Sequence, residues 1–355
     1  MTLRNLLGGA IAIVLGVAQP LAPPATAGPA LLFEATTGKV LYAEDQDNLW
    51  HPASLTKIMT AYITFEALRA GTITLDSKVA CTENAHKEPP SKIGLPVGAE
   101  LSVNLALKAL IIKSANDVAV MLAEKLGGSV EGFVARMNET AKRLGMTRTH
   151  FVNPNGLPAS AQVTTARDLA KLARAVVKDF PEHADYWSAP NFQIGKRRLS
   201  SHNGLLRTFD GADGLKTGFI CDSGFNVVAS ATRDGTRLMA VVLGEPTSND
   251  RTVRAASLLE HGFQHYGWKT FFNMTDIDNL PLDATRKGVV SIRSSVRSWD
   301  CGHRPTTANK LQTLKSRSAR AKLRQKARQA KKKASKPANK AADAAKVQGA
   351  PAKTN

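Results

Sequence analysis

Apolar positions along this chain follow two rhythms. Ala30 to Glu34 and Val40 to Ala43 are short aliphatic runs separated by Thr37-Gly38, which predicts a β-hairpin. Ser54 to Ala70 then predicts a helix, with Gly71 as its stop. Val103, Ala106, Leu107, Leu110 and Ile111 recur at three- and four-residue intervals and predict a buried helix face. A second buried helix is expected from Asp117 to Leu126, ended by Gly127-Gly128. A third is expected from about Val130 to Leu144, stopping at Gly145. Thr165-Ala166-Arg167-Asp168 reads as a capping box opening a helix to about Lys178.

The rhythm then changes. Phe225 to Thr232 and Arg237 to Leu243 predict strands around an Asp234-Gly235 turn. A helix is expected from about Asn249 to Tyr266. Strands at both ends with helices between them predict an α+β fold. The two hairpins would share one antiparallel sheet, flanked by helices, with the middle helices forming a lobe.

Charge divides the chain. The net charge is +19, but residues 310–355 hold 15 Lys or Arg and one acid, Asp343, so they carry +14 and the rest carries +5. That tail has no aromatic residue and cannot bury enough apolar surface to fold alone, so it is expected to be disordered. Leu311, Leu314 and Leu323 make no continuous apolar face. The tail could adsorb by charge to an anionic membrane surface or wall polymer, or stand as a solvated extension without a partner. At the other end, Arg4, the apolar run Leu6 to Ala18 and Ala25-Thr26-Ala27 read as a signal peptide cleaved after Ala27. The run is shorter than the roughly 20 residues a membrane span needs. The expected divisions are therefore 1–27, a body at 28–267, a short extension at 268–309, and the tail. Export to the periplasm or the outer face of the cytoplasmic membrane makes a nucleic-acid partner unexpected. Cys81, Cys221 and Cys301 form no C-x-x-C pair, which removes support for a zinc or haem site. Export would allow two of them to pair and leave one over, or all three could be thiols.

Three short motifs carry candidate chemistry: Ser54-Leu55-Thr56-Lys57, Ser114-Ala115-Asn116 and Lys216-Thr217-Gly218. Residues three apart share a helix face, which puts the Lys57 amine beside the Ser54 hydroxyl. A serine is a weak nucleophile until a neighbour takes its proton. Lysine can do so if its pKa falls, and burial or a nearby positive charge lowers it. Lys216 is the candidate for that charge. A helix N-terminus at Ser54 leaves backbone N–H groups free to bind an oxyanion. Ser114-Ala115-Asn116 falls at a polar break between two apolar helical stretches, where its hydrogen bonds must be satisfied. Gly218, on a strand edge, lets another backbone approach, so an extended peptide could add there.

Together these motifs, with His51-Pro52-Ala53, Phe151 to Leu157, Thr165 to Leu169 and Gly224 to Ala231, resemble the low-molecular-mass penicillin-binding proteins that act as D-alanyl-D-alanine carboxypeptidases. The resemblance covers roughly Gly28 to Gly267. It implies the penicillin-recognising, β-lactamase/transpeptidase-like fold and a peptidoglycan stem peptide as substrate. Ser54 would attack the carbonyl between the two terminal D-alanines, with Lys57 as base. Ser114 and Lys216 would return a proton to the departing amine. Asn116 would hold the peptide amide and help place Lys57. Thr217 would bind the terminal carboxylate. The N–H groups of Ser54 and Phe219 would form the oxyanion hole. β-Lactam antibiotics would acylate the same serine, and no metal or cofactor is called for.

Two features depart from the family pattern. Family members often carry an arginine where this chain has His202, so the substrate carboxylate falls to His202 or to a nearby arginine such as Arg207. Residues 268–309 are also too few for the β-rich second domain that many members carry. A class A β-lactamase would need a glutamate in E-x-x-L-N, and none lies between Ser114 and Lys216. A non-catalytic wall-binding scaffold would not need all three motifs intact.

Overall fold

A computed structural model describes residues 28–272, 275–282, 288–298 and 301. The expected signal peptide and the basic tail lie outside the described residues. One compact unit extends to Val290 and a second begins at Ser291.

Strands β1 (Ala30–Glu34) and β2 (Val40–Glu44) form the first hairpin. A 3-10 turn at Ala53–Thr56 leads into helix α1 (Lys57–Arg69). Strand β3 (Lys78–Ala80), helix α2 (Glu83–Lys87) and strand β4 (Glu100–Ser102) follow, β3 and β4 pairing antiparallel. Helix α3 (Val103–Lys108) runs into a π-helical turn at Ala109–Lys113. Helices α4 (Asn116–Gly127), α5 (Val130–Arg143), α6 (Ala166–Asp179) and α7 (Ala184–Ser188) complete the helical part. The hairpin β5 (Asn191–Ile194) and β6 (Arg197–Ser200) precedes β7 (Ala212–Ile220), β8 (Gly224–Arg233), β9 (Thr236–Glu245) and α8 (Ser248–Phe272).

The main sheet has the order β2-β1-β9-β8-β7, every neighbour antiparallel. The two predicted hairpins therefore meet in one sheet. Between β8 and β9, Asp234 (φ 47°) and Gly235 (φ 75°) both adopt the left-handed conformation that a two-residue hairpin requires. Leu238, Ala240 and Val242 alternate along β9 and pack with Leu32, Val227 and Ala229 against Ala255 and Leu259 of α8. Helix α6 packs against β1, β8 and β9, and α1 packs on α6 and α4.

Three details differ from expectation. Ser54 lies in a 3-10 turn, and the regular helix begins only at Lys57. Helix α8 continues to Phe272, because its pattern fades before the helix does. Half of the capping box forms: the Thr165 side chain accepts from Asp168 N at 3.0 Å, but the Asp168 carboxylate accepts from Arg148 N and Thr149 Oγ1. It anchors a loop instead of closing the cap. Arg167, beside it, makes a buried bidentate pair with Asp47 (2.7 Å for both bonds) and donates to the carbonyls of Leu280 and Pro281. That clamp holds the segment after α8 against the body. Cys81 is a free buried thiol, whereas Cys221 and Cys301 are both disulfide-bonded. Sequence spacing left that choice open.

Candidate active site

Helix α1 is buried along its whole first half, from Lys57 through Phe65. An amine that starts such a helix has no route to solvent, and Lys57 is fully buried. Its Nζ lies 3.0 Å from Ser54 Oγ, 2.8 Å from Asn116 Oδ1 and 2.5 Å from the Asn155 carbonyl. The Asn116 oxygen and the Asn155 carbonyl can only accept. A neutral amine has two N–H bonds, and these two acceptors use both. Its lone pair is then left facing Ser54, the geometry a general base needs. Burial, then the charge of Lys216, pushes the Lys57 pKa far below the ordinary lysine value, while Glu88 and Asp117 oppose that shift.

Asn116 opens α4 and is itself fixed. Its backbone N–H donates to Ser91 O (2.7 Å) and its Nδ2 to Pro89 O (2.9 Å). Ser114 precedes it in a left-handed conformation, φ 63°, at the end of the π-helical turn, and is buried. Asn155 lies within the Phe151 to Leu157 segment, and no sequence motif gives its side chain a role. Its contribution is a backbone oxygen, which no residue type announces.

Lys216, Thr217 and Gly218 lie on β7, an edge strand that pairs with β8 only. Its free edge faces the 3-10 turn that carries Ser54. A methyl placed on Gly218 would lie 2.9 Å from Pro52 O and 3.2 Å from the backbone nitrogens of Ser54 and Leu55. Only glycine allows that approach, which brings β7 against the turn that carries Ser54. Gly156 (φ 84°) is equally constrained from below: a methyl there would meet Ala53 O.

Lys216 is buried and donates to Thr217 O at 2.9 Å. Burial, then the charge of Arg251, brings its pKa down to about 7. Arg251, at the start of α8, was not singled out in the sequence. It is buried, donates to His202 O at 3.3 Å, and stays cationic at neutral pH although burial lowers its pKa to about 10. No motif marks it, because it reaches the cleft from a separate helix. Arg207 is exposed and bonds to Ser201 O. His202 keeps a solvent-exposed surface, yet protein crowds its ring. Lost hydration, then the charges of Lys216, Lys113 and Arg251, push its pKa down to about 4. Solvent at the open face screens those charges, so the direction is what counts: a neutral ring at pH 7. Among the described residues, no group of three or more His, Cys, Asp or Glu side chains could hold a metal ion.

A serine within hydrogen-bond reach of a buried, pKa-depressed lysine, with a glycine-bearing edge strand packed against its turn, has the geometry of a serine acyl-transfer site. The chain belongs to the peptidase S11 family, D-alanyl-D-alanine carboxypeptidase, whose sequence profile matches residues 16–247. It is 38% identical over 252 residues to D-alanyl-D-alanine carboxypeptidase DacC of Escherichia coli, covering 69% of this chain and 63% of that protein. The match thus spans less than two thirds of that relative. Among solved structures, penicillin-binding protein 5 of Haemophilus influenzae superposes with a TM-score of 0.65 at 36% identity, covering 69% of this chain and 73% of that one. Penicillin-binding protein D2 of Listeria monocytogenes, in a cefotaxime-bound form, gives 0.61 at 32% identity, covering 67% and 97%. The α+β penicillin-binding fold expected from the motifs is the fold observed.

Proposed function

We propose that this protein is a serine-type D-alanyl-D-alanine carboxypeptidase that removes the terminal D-alanine from peptidoglycan pentapeptide stems. The observation that carries this reading is the Lys57 amine, whose two obligate acceptors leave its lone pair for Ser54 Oγ. Ser54 Oγ attacks the carbonyl between the terminal alanines as Lys57 takes its proton. The oxyanion settles between the N–H groups of Ser54 and Phe219. The C–N bond breaks, and Ser114 with Lys216 passes a proton to the leaving amine. A group titrating near 7 both gives and takes a proton at neutral pH, as that step requires. Asn116 Oδ1 places Lys57, and the second N–H of its Nδ2 is left to hold the peptide amide. Thr217 Oγ1 binds the terminal carboxylate, with Lys216 and Arg251 supplying charge. His202 lines that pocket as a neutral ring. Water then releases the shortened stem.

A β-lactam presents a strained amide and a carboxylate to the same groups, and the Listeria neighbour was solved with cefotaxime bound. Covalent labelling of Ser54 by penicillin belongs to this proposal, as do export to the periplasm or the outer face of the cytoplasmic membrane and the charge-driven adsorption of the tail. The test is mass spectrometry of a pentapeptide stem incubated with the protein and with Ser54→Ala. Loss of one alanine with the unaltered protein alone supports the reaction; no loss, or equal loss with both, overturns it. A fluorescent penicillin adds a second readout: stable labelling is expected, rapid turnover would mean a β-lactamase, and no labelling would mean a scaffold.

A further inference from the structure

Asn116 and Lys57 are supported by a segment with no place in the three motifs. Residues 88–94 cross in front of α4, bound to it at several points. Pro89 O accepts from Asn116 Nδ2, Ser91 O from Asn116 N, and Ser91 Oγ donates to Lys113 O. The N–H groups of Ile93 and Gly94 donate to the Asp117 carboxylate. This bracing fixes the position of Glu88, whose own N–H bonds to Ala85 O.

The two acids near Lys57 are unlike each other. Asp117 accepts N–H bonds from Ile93, Gly94 and Val118, so its carboxylate is well supported. Glu88 is half-buried. Its Oε2 is sealed from solvent with no hydrogen-bond partner, and its side-chain partner is Asn155, whose carbonyl accepts from Lys57 Nζ. A buried, unbonded carboxylate oxygen is poor support for a negative charge.

We infer that Glu88 is a positioning residue for the reaction: its carboxyl, held by the braced 88–94 segment against Asn155, whose carbonyl accepts from Lys57 Nζ, tunes how readily Lys57 takes the Ser54 proton. The inference rests on Lys57 being the base, as given under the proposed function. Every charge facing the pair takes part. Lys57 faces Lys216 from β7, Asp117 from α4, and Glu88; Glu88 faces Lys57, Asp117 and Lys92. Burial raises the Glu88 pKa, and Lys57 and Asn155 pull it back. Once ionised, Glu88 stabilises the Lys57 ammonium and delays its deprotonation. Each charge therefore bears on the proton of the other.

Acylation by a fluorescent penicillin, followed from pH 5 to pH 9, tests this. Glu88→Gln keeps the shape and removes the charge, so Lys57 should lose its proton earlier. The acid limb is expected about one pH unit lower, which is about tenfold faster labelling at a pH on that limb, relative to each protein's plateau. Glu88→Asp should restore the wild-type limb. Equal plateau rates at pH 9 would show that the Gln variant keeps an intact cleft. Should the plateau fall, Glu88→Ala, which also lacks the charge, must show the same shift. If neither charge-free variant moves the limb while Lys57→Ala stays inert, Glu88 does not act on Lys57. If Lys57→Ala labels as fast as wild type, the base itself is misassigned, and this inference falls with it.

Discussion

Lys216 makes the fold less stable for the sake of the site, and the penalty can be measured. Its pKa is about 7 when folded, against an ordinary value of 10.5, because burial and Arg251 disfavour the ammonium. A lowered lysine pKa means the unfolded chain binds more protons between those two values, so stability must rise with pH across that window. Lys216→Met keeps a side chain of similar length and removes the titration. Relative to Met, Lys216 should cost about 5 kcal/mol at pH 6.5, about 3 at pH 8 and about 1 at pH 9.5. The lost bond from Nζ to Thr217 O offsets about 1 kcal/mol of the gain at every pH. Lys57 pushes the same way, since removing Lys216 relieves its depression too. Urea denaturation of both proteins at these three pH values gives the difference directly. Lys216→Met should be more stable and inactive, with an advantage that shrinks as pH rises. A stability difference that is flat from pH 6.5 to 9.5 would mean that Lys216 is not depressed, and the proton relay assigned to it would fail.

Other substitutions separate the parts of the site. Gly218→Ala forces a methyl against backbone at 2.9–3.2 Å and should slow penicillin acylation about 100-fold while lowering the melting temperature by a few degrees. Arg251→Met removes the charge that helps hold Lys216 down, so any pH limb owed to Lys216 should move up while KM for the peptide rises. His202→Ala should leave the shape of the pH–rate profile between pH 5 and 8 unchanged, because the ring is already neutral there. Arg167→Met strands Asp47 and releases the carbonyls of Leu280 and Pro281; urea denaturation should show a loss of about 3–5 kcal/mol.

The hairpins, the long helices and the three motifs were legible because each is a local pattern: alternation, helical spacing, or a turn dipeptide. Ser54 and Lys57 could be paired from their spacing alone. Strands β3 to β6 were not legible, being three or four residues long with little burial to impose a period. Asn155, Arg251 and Glu88 were invisible for another reason. Each acts through tertiary placement: a backbone oxygen, a charge from α8, and an acid from a braced loop. The 3-10 turn at Ser54 was missed because Ala53, with φ 48°, takes a conformation that its side chain does not favour.

Helix α1 has a consequence for how this protein fails. Its first half is sealed on every side, and the reactive pair stands at its threshold. Amide protons there should exchange with solvent only when the whole unit opens. On gentle heating, the Ser54–Lys57 pair should therefore stay assembled until the body melts, and turnover lost earlier would point to the edge strand β7 or the 88–94 segment.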